Sequence, residues 1–524
     1  MAQPIRRTFS IAEAESPRPV AVIDIGATSI RMEVAEISSD QNIRSLGTLV
    51  QSVALGREAF ANRRLSRKSI EKAVDVLQQY KINLREYGIT NTSDVRVVAT
   101  SAVREASNRL AFVDRIFAAT GFEVETIEEA EVNRITYMGI MPQLAANPEL
   151  ANGKSIVIES GGGSTEALVI RAGNVLSSLS FRLGALRLQQ IIHDTRTSDR
   201  RHDLMESHIR RTIRQLEEEV SDRSINLVAV GGDIRFAANH FIKDWQPDTL
   251  AQLATKDLER LTKEILTLDE NEIVQNFDVN HTQAETLGPS LLIYTMLAQH
   301  FEVSDLFVSD TNLRDGLLTE MASGGNWTAE FRNQIVRSAM QLGRKFDFDE
   351  MHARNVAELS RHLFDQLAEY HQLDGRSEVI LYVAALLHEI GLMINSRSNH
   401  KHALYVIRNS NLFGLSQLEL LLVGLVARYH RRASPQSSHD GYVTLDRENR
   451  VVVSKLAAIL RIAIALDDTR AGRIREIECI TEGNRMVIQI AGLDDVSLEQ
   501  IAMRSGGGLF RDVFGMPVLL RSKK

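Results

Sequence analysis

Hydrophobic residues follow two different patterns along the chain. In the N-terminal part, short apolar runs such as Val95–Ala99 and residues 225–230 alternate with amphipathic stretches such as residues 66–87 and 204–220. The short runs are rich in β-branched residues and predict strands, and the amphipathic stretches predict helices. From residue 326 to about residue 470 the pattern is helical. The sequence therefore predicts an α/β region followed by an all-α region.

Two stretches, residues 20–34 and 155–170, share one pattern. Each has an apolar run, an acidic residue, a glycine turn with hydroxyl side chains, and a second apolar run. Asp24 of the first stretch corresponds to Glu159 of the second. The patterns predict two β-hairpins in the two copies of a duplicated α/β lobe, with a cleft between the copies. Chance similarity of two glycine turns is the alternative.

The second of these turns suits phosphate binding. Glycines at 161–163 let backbone N–H groups approach a ligand closely, and Ser164 and Thr165 add hydroxyl donors. Glu159 and Glu166 flank the turn, and carboxylates beside a phosphate repel it unless a divalent cation lies between them. A phosphate site with Mg²⁺ is therefore expected. A flexible hairpin tip is the alternative.

Two further candidates lie near predicted helix starts. Arg104 follows residues 100–101, which suit a helix N-cap at the end of a strand. A helix N-terminus and a guanidinium together favour an anion, although a solvated helix-face arginine has the same local sequence. The carboxylates of residues 128–131 complement a helix dipole, and one of them at a cleft is a candidate general base.

Composition narrows the class of protein. A chain of 524 residues is too long for one core and predicts two to four domains. The net charge of −7 provides no basic field for nucleic acid, and no apolar run reaches membrane-spanning length. The single cysteine, Cys479, and the polar N-terminus without a signal-peptide core fit a reducing compartment. A cytoplasmic protein is expected, without nucleic-acid or membrane partners.

Histidines and carboxylates recur in the helical region. His352, His388-Glu389, His430 and Asp467 lie in or next to apolar helices. Imidazole and carboxylate groups together suit several divalent metals. Core histidines with satisfied hydrogen bonds are the alternative, and the sequence leaves both open.

Six segments, in this order along the chain, form a specific combination. They are residues 24–31 (Asp-Ile-Gly-Ala-Thr-Ser-Ile-Arg), 99–106 (Ala-Thr-Ser-Ala-Val-Arg-Glu-Ala), 161–166 (Gly-Gly-Gly-Ser-Thr-Glu), 313–316 (Leu-Arg-Asp-Gly), 386–395 (Leu-Leu-His-Glu-Ile-Gly-Leu-Met-Ile-Asn) and 428–432 (Arg-Tyr-His-Arg-Arg). Together they resemble the exopolyphosphatase and guanosine pentaphosphate phosphohydrolase family over nearly the whole chain. The long form with a helical part is more similar to exopolyphosphatases than to the short members with two lobes.

The resemblance implies an α/β fold of two actin/hexokinase-like lobes (duplicated and ribonuclease-H-like), an all-α HD-like domain and a small C-terminal α+β unit. It also implies a homodimer. The expected divisions are a disordered tail (1–18), an N-terminal lobe (19–135), a second lobe (136–322), the helical domain (326–470) and the C-terminal unit (471–524).

The implied activity is release of orthophosphate from the ends of inorganic polyphosphate, with guanosine pentaphosphate as a second substrate and Mg²⁺ as cofactor. The implied metal ligands are Asp24, Glu159 and Glu166, the last two also catalytic. The implied phosphate-binding residues are Gly26, Thr28, Ser29, Arg31, Arg104, Gly161, Gly162, Gly163, Ser164 and Thr165.

This chain departs from the family pattern most seriously at the general base. Aligned on Met138-Gly139, the family's base position falls on Val132, so the neighbouring Glu131 is the expected base. The departure motivates an alternative function, a sensor that binds polyphosphate or guanosine pentaphosphate without cleaving it. A kinase on the same fold and a metal-dependent hydrolase in the helical domain are further alternatives.

Overall fold

The computed structural model of the protein describes residues 17–193, 198–220, 225–246, 248–324, 327–431, 433–493 and 495–523. The disordered tail expected at 1–18 falls mostly on residues 1–16, which lie outside the described part of the chain. Arg18 is the first residue of a strand rather than the last residue of a tail. None of the described helices is both long and apolar enough to span a bilayer.

The chain divides into two compact units. Unit 1 comprises residues 1–173 and 179–325, and unit 2 comprises residues 174–178 and 326–524. Apart from residues 174–178, unit 1 holds both of the expected lobes. Unit 2 holds the expected helical domain and the C-terminal α+β unit.

Unit 1 is built on two sheets. The strands of the first sheet are β1 (Arg18–Ile25), β2 (Ser29–Ile37), β3 (Ile43–Ser52), β4 (Val95–Ala99) and β5 (Val124–Thr126). The strands of the second sheet are β6 (Lys154–Ser160), β7 (Thr165–Arg171), β8 (Asn174–Phe181), β9 (Asn226–Val230), β10 (Ala251–Ala254) and β11 (Asp305–Ser309).

The two sheets have corresponding topologies. The first has the order β3-β2-β1-β4-β5, and the second, read from its other edge, has the order β8-β7-β6-β9-β11-β10. In both, the hairpin is antiparallel (β1 with β2, β6 with β7) and the next neighbour is parallel (β1 with β4, β6 with β9). The duplication expected from the two hairpin patterns is therefore present in the topology.

Helices connect and cover these strands. The helices of unit 1 are α1 (Leu55–Asn62), α2 (Arg67–Glu86), α3 (Ser101–Arg104), α4 (Arg109–Thr120), α5 (Glu129–Ala146), α6 (Pro148–Asn152), α7 (Ala185–His193), α8 (Ser198–Glu219), α9 (Gly232–Phe241), α10 (Thr255–Thr267), α11 (Glu270–Phe277), α12 (His281–His300) and α13 (Leu313–Ala322). The residues that follow the predicted N-cap at 100–101 form two helices, α3 and α4. The boundary expected between the lobes, after residue 135, falls inside α5.

Strand β1, in the middle of the first sheet, is buried on both faces, which explains its nearly continuous apolar run. On one face, Ala21 and Ile23 pack with residues of α2 and α4. On the other face, Val20 and Val22 pack with residues of α5 and α13. Helix α13 lies within the range expected for the second lobe (136–322), but it covers the first sheet. Only long-range packing determines this, so the local sequence does not reveal it.

A buried ion-pair network fixes α13 in this position. Glu320 of α13 lies 2.8 Å from Arg134 of α5 and 2.5 Å from Arg96 of β4. Burial opposes ionisation of Glu320, but Arg134 and Arg96 outweigh it and lower the pKa of this carboxyl from 4.5 to about 2. The folded state therefore prefers the ionised form.

We expect this network to make folding stability pH-dependent in acid. Because the folded-state pKa is below the ordinary value, Glu320 stabilises the fold above about pH 4.5, and this contribution, of about 3 kcal/mol, is lost as the pH falls toward 2. Urea unfolding from pH 6 to pH 3 should show a steeper loss in wild type than in Glu320→Gln. Glu71→Gln, which removes an exposed partner of Arg115, is the control and should follow wild type. Parallel pH profiles for wild type and Glu320→Gln would contradict the prediction.

Unit 2 is mainly helical and ends in a small sheet. Its helices are α14 (Ala329–Lys345), α15 (Glu350–Gln366), α16 (Ala368–His371), α17 (Gly375–Leu387), α18 (Asn399–Arg408), α19 (Gln417–Arg428), α20 (Arg447–Leu466), α21 (Ser497–Gly506) and α22 (Gly508–Phe514). Its strands are β12 (Glu478–Glu482), β13 (Arg485–Ala491) and β14 (Val518–Lys523). Strand β13 is central, antiparallel to β12 and parallel to β14.

Candidate active site

The two hairpins of unit 1 place their acidic residues in equivalent positions. In the β1–β2 hairpin, Asp24 pairs with Arg31, and in the β6–β7 hairpin, Glu159 pairs with Glu166. Each turn is closed by a backbone hydrogen bond from its first glycine, from Gly26 N to Ser29 O (3.0 Å) and from Gly161 N to Ser164 O (2.9 Å). The same local sequence therefore gives the same local structure in both lobes.

The turns of the two hairpins approach each other closely. A Cβ atom on Gly162 would lie 3.1 Å from the Cβ of Ala27 in the other hairpin. A Cβ atom on Gly184, which precedes α7, would lie 2.5 Å from the backbone carbonyl carbon of Gly162. Backbone atoms cannot move aside as a flexible side chain can, so glycine is required at position 184. This packing brings the two halves of the site together.

The second turn is anchored from both sides. Arg187 of α7 donates from Nε to the carbonyl of Gly163 at 2.5 Å and pairs with Glu105. Tyr294 of α12 accepts a hydrogen bond from Ser160 N at 2.8 Å and donates to the carbonyl of Val230. Within the described residues, the backbone N–H groups of glycines 162 and 163 donate to no other backbone group. These N–H groups remain available to an anion.

A cavity of about 170 Å³ lies between the hairpins. Its wall comes from both sheets and from several helices, among them those that follow β4 and β9. The lining residues are Asp24, Gly26, Ala27, Thr28, Arg31, Thr100, Ser101, Arg104, Val132, Glu159, Ser160, Gly161, Gly162, Gly163, Ser164, Glu166, Gly231, Gly232, Asp233, Thr286 and Leu313. Backbone amides, hydroxyls, guanidiniums and carboxylates thus converge on one small volume.

Burial disfavours the ionised form of the carboxyl groups in this cavity. Burial raises the pKa of Asp24 and of Glu159, and it raises the pKa of Glu166 to about 8. Glu166 accepts a hydrogen bond from Ser164 Oγ at 2.7 Å, and Glu159 accepts one from Thr136 Oγ1 at 3.0 Å. The Oδ1 atom of Asp24 is buried and has no hydrogen-bond partner among the described residues. Such carboxylates favour a bound cation.

Two guanidiniums line the same cavity. Arg104 is held by a hydrogen bond from Nη1 to the carbonyl of Ile127 (2.9 Å) and an ion pair with Glu129 (3.3 Å), and its side chain is 8% exposed. Arg31 lies 3.9 Å from Asp24 and is more exposed. Arg314, which is not part of the lining, lies 3.8 Å from the same Asp24 oxygen. The cavity therefore offers positive groups for a phosphate as well as carboxylates for a metal.

The structure brings together all but three of the residues expected in the site. Thr165 does not line the cavity, because its hydroxyl donates to the carbonyl of Leu183 at 2.6 Å and faces the opposite side of the strand from Glu166. Ser29 is buried at the start of β2, outside the cavity lining. The hydroxyls nearest the glycine turns are instead those of Thr28 and Ser164.

Glu131, the expected base, is the third residue outside the lining. Its Oε2 accepts a hydrogen bond from the backbone N of Glu128 at 3.2 Å, as part of a capping box at the start of α5. The residue that lines the cavity is Val132, one position later. Successive helix positions point about 100° apart, so only one of the two faces the cavity.

For the phosphate release that the resemblance implies, we expect Glu131→Gln to have a rate close to that of wild type. Glutamine also serves at this position of a capping box, so the start of α5 is retained. Loss of a general base would instead lower the rate by about 10²–10⁴-fold. Steady-state phosphate release, with thermal unfolding as the folding check, distinguishes the two. A loss of rate in that range, in a variant that remains folded, would identify Glu131 as the general base.

Asp233 is a site residue that the sequence analysis missed. It lies in the first turn of α9 and lines the cavity, and burial raises its pKa. Gly231, two residues before Asp233, has φ of 131°, a conformation that favours glycine. The only signal in the sequence is Gly-Gly-Asp after an apolar strand, which is equally typical of a plain strand–helix turn.

The chain was compared with protein families and with known proteins. The model of the Ppx/GppA phosphatase family matches residues 33–324, and the model of Ppx/GppA phosphatase domain III matches residues 336–503. A guanosine-5'-triphosphate,3'-diphosphate pyrophosphatase of Vibrio parahaemolyticus is 22% identical over 490 residues, which are 92% of this chain and 93% of the relative.

A solved structure shares the fold of a large part of the chain. A crystal structure of an exopolyphosphatase from Cytophaga hutchinsonii has a TM-score of 0.53 and 23% identity, and the match covers 59% of this chain and 98% of that protein. The family match over residues 33–324 covers the β6–β7 turn and most of the residues that line the cavity. With a match over more than half of its length, and a second match over its helical part, this chain belongs to the Ppx/GppA phosphatase family.

Proposed function

We propose that this phosphatase hydrolyses the terminal phosphoanhydride bond of inorganic polyphosphate and releases orthophosphate, with guanosine pentaphosphate as a second substrate. The observation that carries the proposal is the cavity between two glycine hairpins, lined by Arg31, Arg104 and four buried or half-buried carboxylates. The names of the relatives from Vibrio and Cytophaga support the two substrate classes.

The residues of the cavity fit a magnesium ion. Carboxylates outnumber guanidiniums in the lining, and the buried Oδ1 of Asp24 lacks a partner among the described residues. A phosphate chain in this setting is repelled unless a cation compensates the charge. Asp24, Glu159 and Glu166 are the residues that would hold Mg²⁺. The ion would supply neutralisation of the phosphate oxygens.

The side chains of the cavity account for the remaining chemistry. The oxygen of a water molecule bonds to the terminal phosphorus while the bridging P–O bond breaks, and the shorter phosphate chain leaves with the bonding electron pair. Arg104 and the N–H groups of glycines 162 and 163 stabilise the charge on the transferred group. With Val132 on the wall, no carboxylate stands at the family's base position, and the proton of the water leaves with the orthophosphate. Hydrolysis without that base is expected to be slow.

The test is phosphate release from long-chain polyphosphate, with guanosine pentaphosphate in parallel, in Mg²⁺ and in excess chelator. Wild type should release phosphate from at least one substrate only with Mg²⁺, and Asp24→Asn should lose the activity. Equal release by Asp24→Asn would contradict the proposal, because it would place the hydrolysis outside this cavity. The ratio of kcat/KM for the two substrates decides the preference.

A second candidate function is supported by Val132. An apolar residue at the family's base position suits a protein that binds polyphosphate or guanosine pentaphosphate without cleaving it. Equilibrium binding of either compound, combined with no phosphate release above that of Asp24→Asn, would favour this sensor function over hydrolysis.

A further inference from the structure

Three buried histidines lie side by side in unit 2. His352 is in α15, His388 follows α17, and His430 follows α19. The ring centres of His352 and His388 are 5.4 Å apart, and those of His388 and His430 are 5.2 Å apart. Their exposed fractions are 3%, 1% and 8%. Three separate helices therefore bring imidazoles to one interior position.

The hydrogen bonds of these rings determine which nitrogen carries the proton. The Nδ1 atom of His388 lies 2.7 Å from the carbonyl of Ala385, and that of His430 lies 2.6 Å from the carbonyl of Ala427. A carbonyl oxygen only accepts, so each Nδ1 is the donor. In the neutral form of each ring, the Nε2 atom then carries a lone pair.

His352 is oriented in the same way by a carboxylate. Its Nδ1 lies 2.7 Å from Oδ2 of Asp467, whose other oxygen accepts from Gly472 N at 2.9 Å. Both oxygens of Asp467 are therefore engaged, and the acid orients the ring. A histidine that donates from one nitrogen to a carboxylate or carbonyl and offers the other is the usual metal-ligating arrangement.

His388 differs from a satisfied core histidine in the same unit. Its Nε2 is buried and has no hydrogen-bond partner within the described part of the chain. His371, equally buried, uses both ring nitrogens, one with the carbonyl of Phe364 and one with the N–H of Leu373. Leaving a buried polar atom unpaired costs about 1–3 kcal/mol, so an unpaired Nε2 among other ligands points to a missing partner.

A carboxylate completes the cluster. One side-chain ligand atom each from His352, His388 and Glu389 lie within 4.8 Å of one another. Oxygen Oε1 of Glu389 accepts from Arg470 at 2.6 Å, which holds the carboxylate in place. Ligands around a zinc-type ion lie about 2.0–2.2 Å from it, so a modest inward movement of these groups would suffice.

We propose that unit 2 binds one divalent first-row transition ion, of the zinc or cobalt type, through His352, His388 and Glu389. His430 adjoins His388 as a further ligand candidate, and Asp467 is a positioning residue. Imidazole nitrogen with one carboxylate favours such ions over Mg²⁺, which prefers oxygen ligands. The site is separate from the phosphate cavity of unit 1 and from the proposed hydrolysis.

The test uses the full chain, stripped with chelator and titrated with Co²⁺, whose visible absorption reports nitrogen-containing coordination. Wild type should bind one equivalent at this site, displaceable by Zn²⁺. His388→Ala should abolish this binding, and Asp467→Asn should weaken it by about 10–100-fold. His371→Ala removes an equally buried imidazole and should retain it, as should Asp24→Asn in unit 1.

Two results would overturn the proposal. One is the absence of stoichiometric Co²⁺ binding by wild type, and the other is binding by His388→Ala equal to that of wild type. Should His388→Ala not fold, Glu389→Gln takes its place, because Glu389 is less buried and its replacement keeps the size of the side chain. Unchanged Co²⁺ affinity in a folded Glu389→Gln protein would also contradict the proposed set of ligands.

Discussion

Replacing Arg104 by alanine is expected to lower kcat for phosphate release by about 10³-fold. Arg104 is one of two guanidiniums in the cavity lining, and its side chain is almost fully buried there. Charge develops on the transferred phosphoryl group in an environment where water screens little, so a fixed cation is worth far more than at the surface. The carbonyl of Ile127 and the carboxylate of Glu129 hold the guanidinium before substrate arrives.

The matched control is Arg115→Ala. Arg115 belongs to the same lobe and also pairs with a glutamate, Glu71, but on an exposed face of α4. Its removal should leave kcat and KM unchanged. Arg104→Lys separates charge from shape, because lysine keeps the positive charge but lacks the planar fork, and its kcat should lie between those of wild type and alanine. A folded Arg104→Ala protein with wild-type kcat would exclude Arg104 from the reaction.

The parts of the site that the sequence predicted are those that local interactions determine. A β-branched run, a glycine turn and a second run specify a hairpin within about fifteen residues. The positions of Asp24 and Glu159 follow from the register that each turn imposes. The hairpin pattern also predicted the position of the free glycine N–H groups. The hydrogen bond from Gly161 N to Ser164 O closes the turn, so the N–H groups of the next two residues lie in the loop.

The parts that the sequence did not predict depend on orientation or on distant packing. The direction of α5 decides between Glu131 and Val132, and it is set by the capping box at Glu128 and by packing on the first sheet. Thr165 and Glu166 are successive residues of a strand, so their side chains point to opposite faces and only Glu166 lines the cavity. In unit 2, the sequence alone left open whether both ring nitrogens of His388 have hydrogen-bond partners, because this depends on which atoms surround Nε2 in the folded chain.

Val132→Glu is expected to raise the rate of phosphate release by about 10²-fold. Val132 lies in the first turn of α5 and lines the cavity, so a carboxylate there would stand beside the phosphate site with the helix N-terminus stabilising its charge. The side chain is 8% exposed, and the adjoining cavity of about 170 Å³ can accept the longer chain. The introduced carboxylate would take the proton that otherwise leaves with the product.

The control for this gain is Val132→Gln, which has nearly the same size but cannot accept the proton. Only the glutamate variant should be faster, and its rate should acquire a new dependence on pH as the carboxyl ionises. If wild type binds polyphosphate without cleaving it, activity in Val132→Glu would mean that one missing carboxylate separates a sensor from a hydrolase. If folded Val132→Glu is no faster than Val132→Gln, transfer of the proton from water does not limit the reaction, and the missing carboxylate does not explain slow hydrolysis.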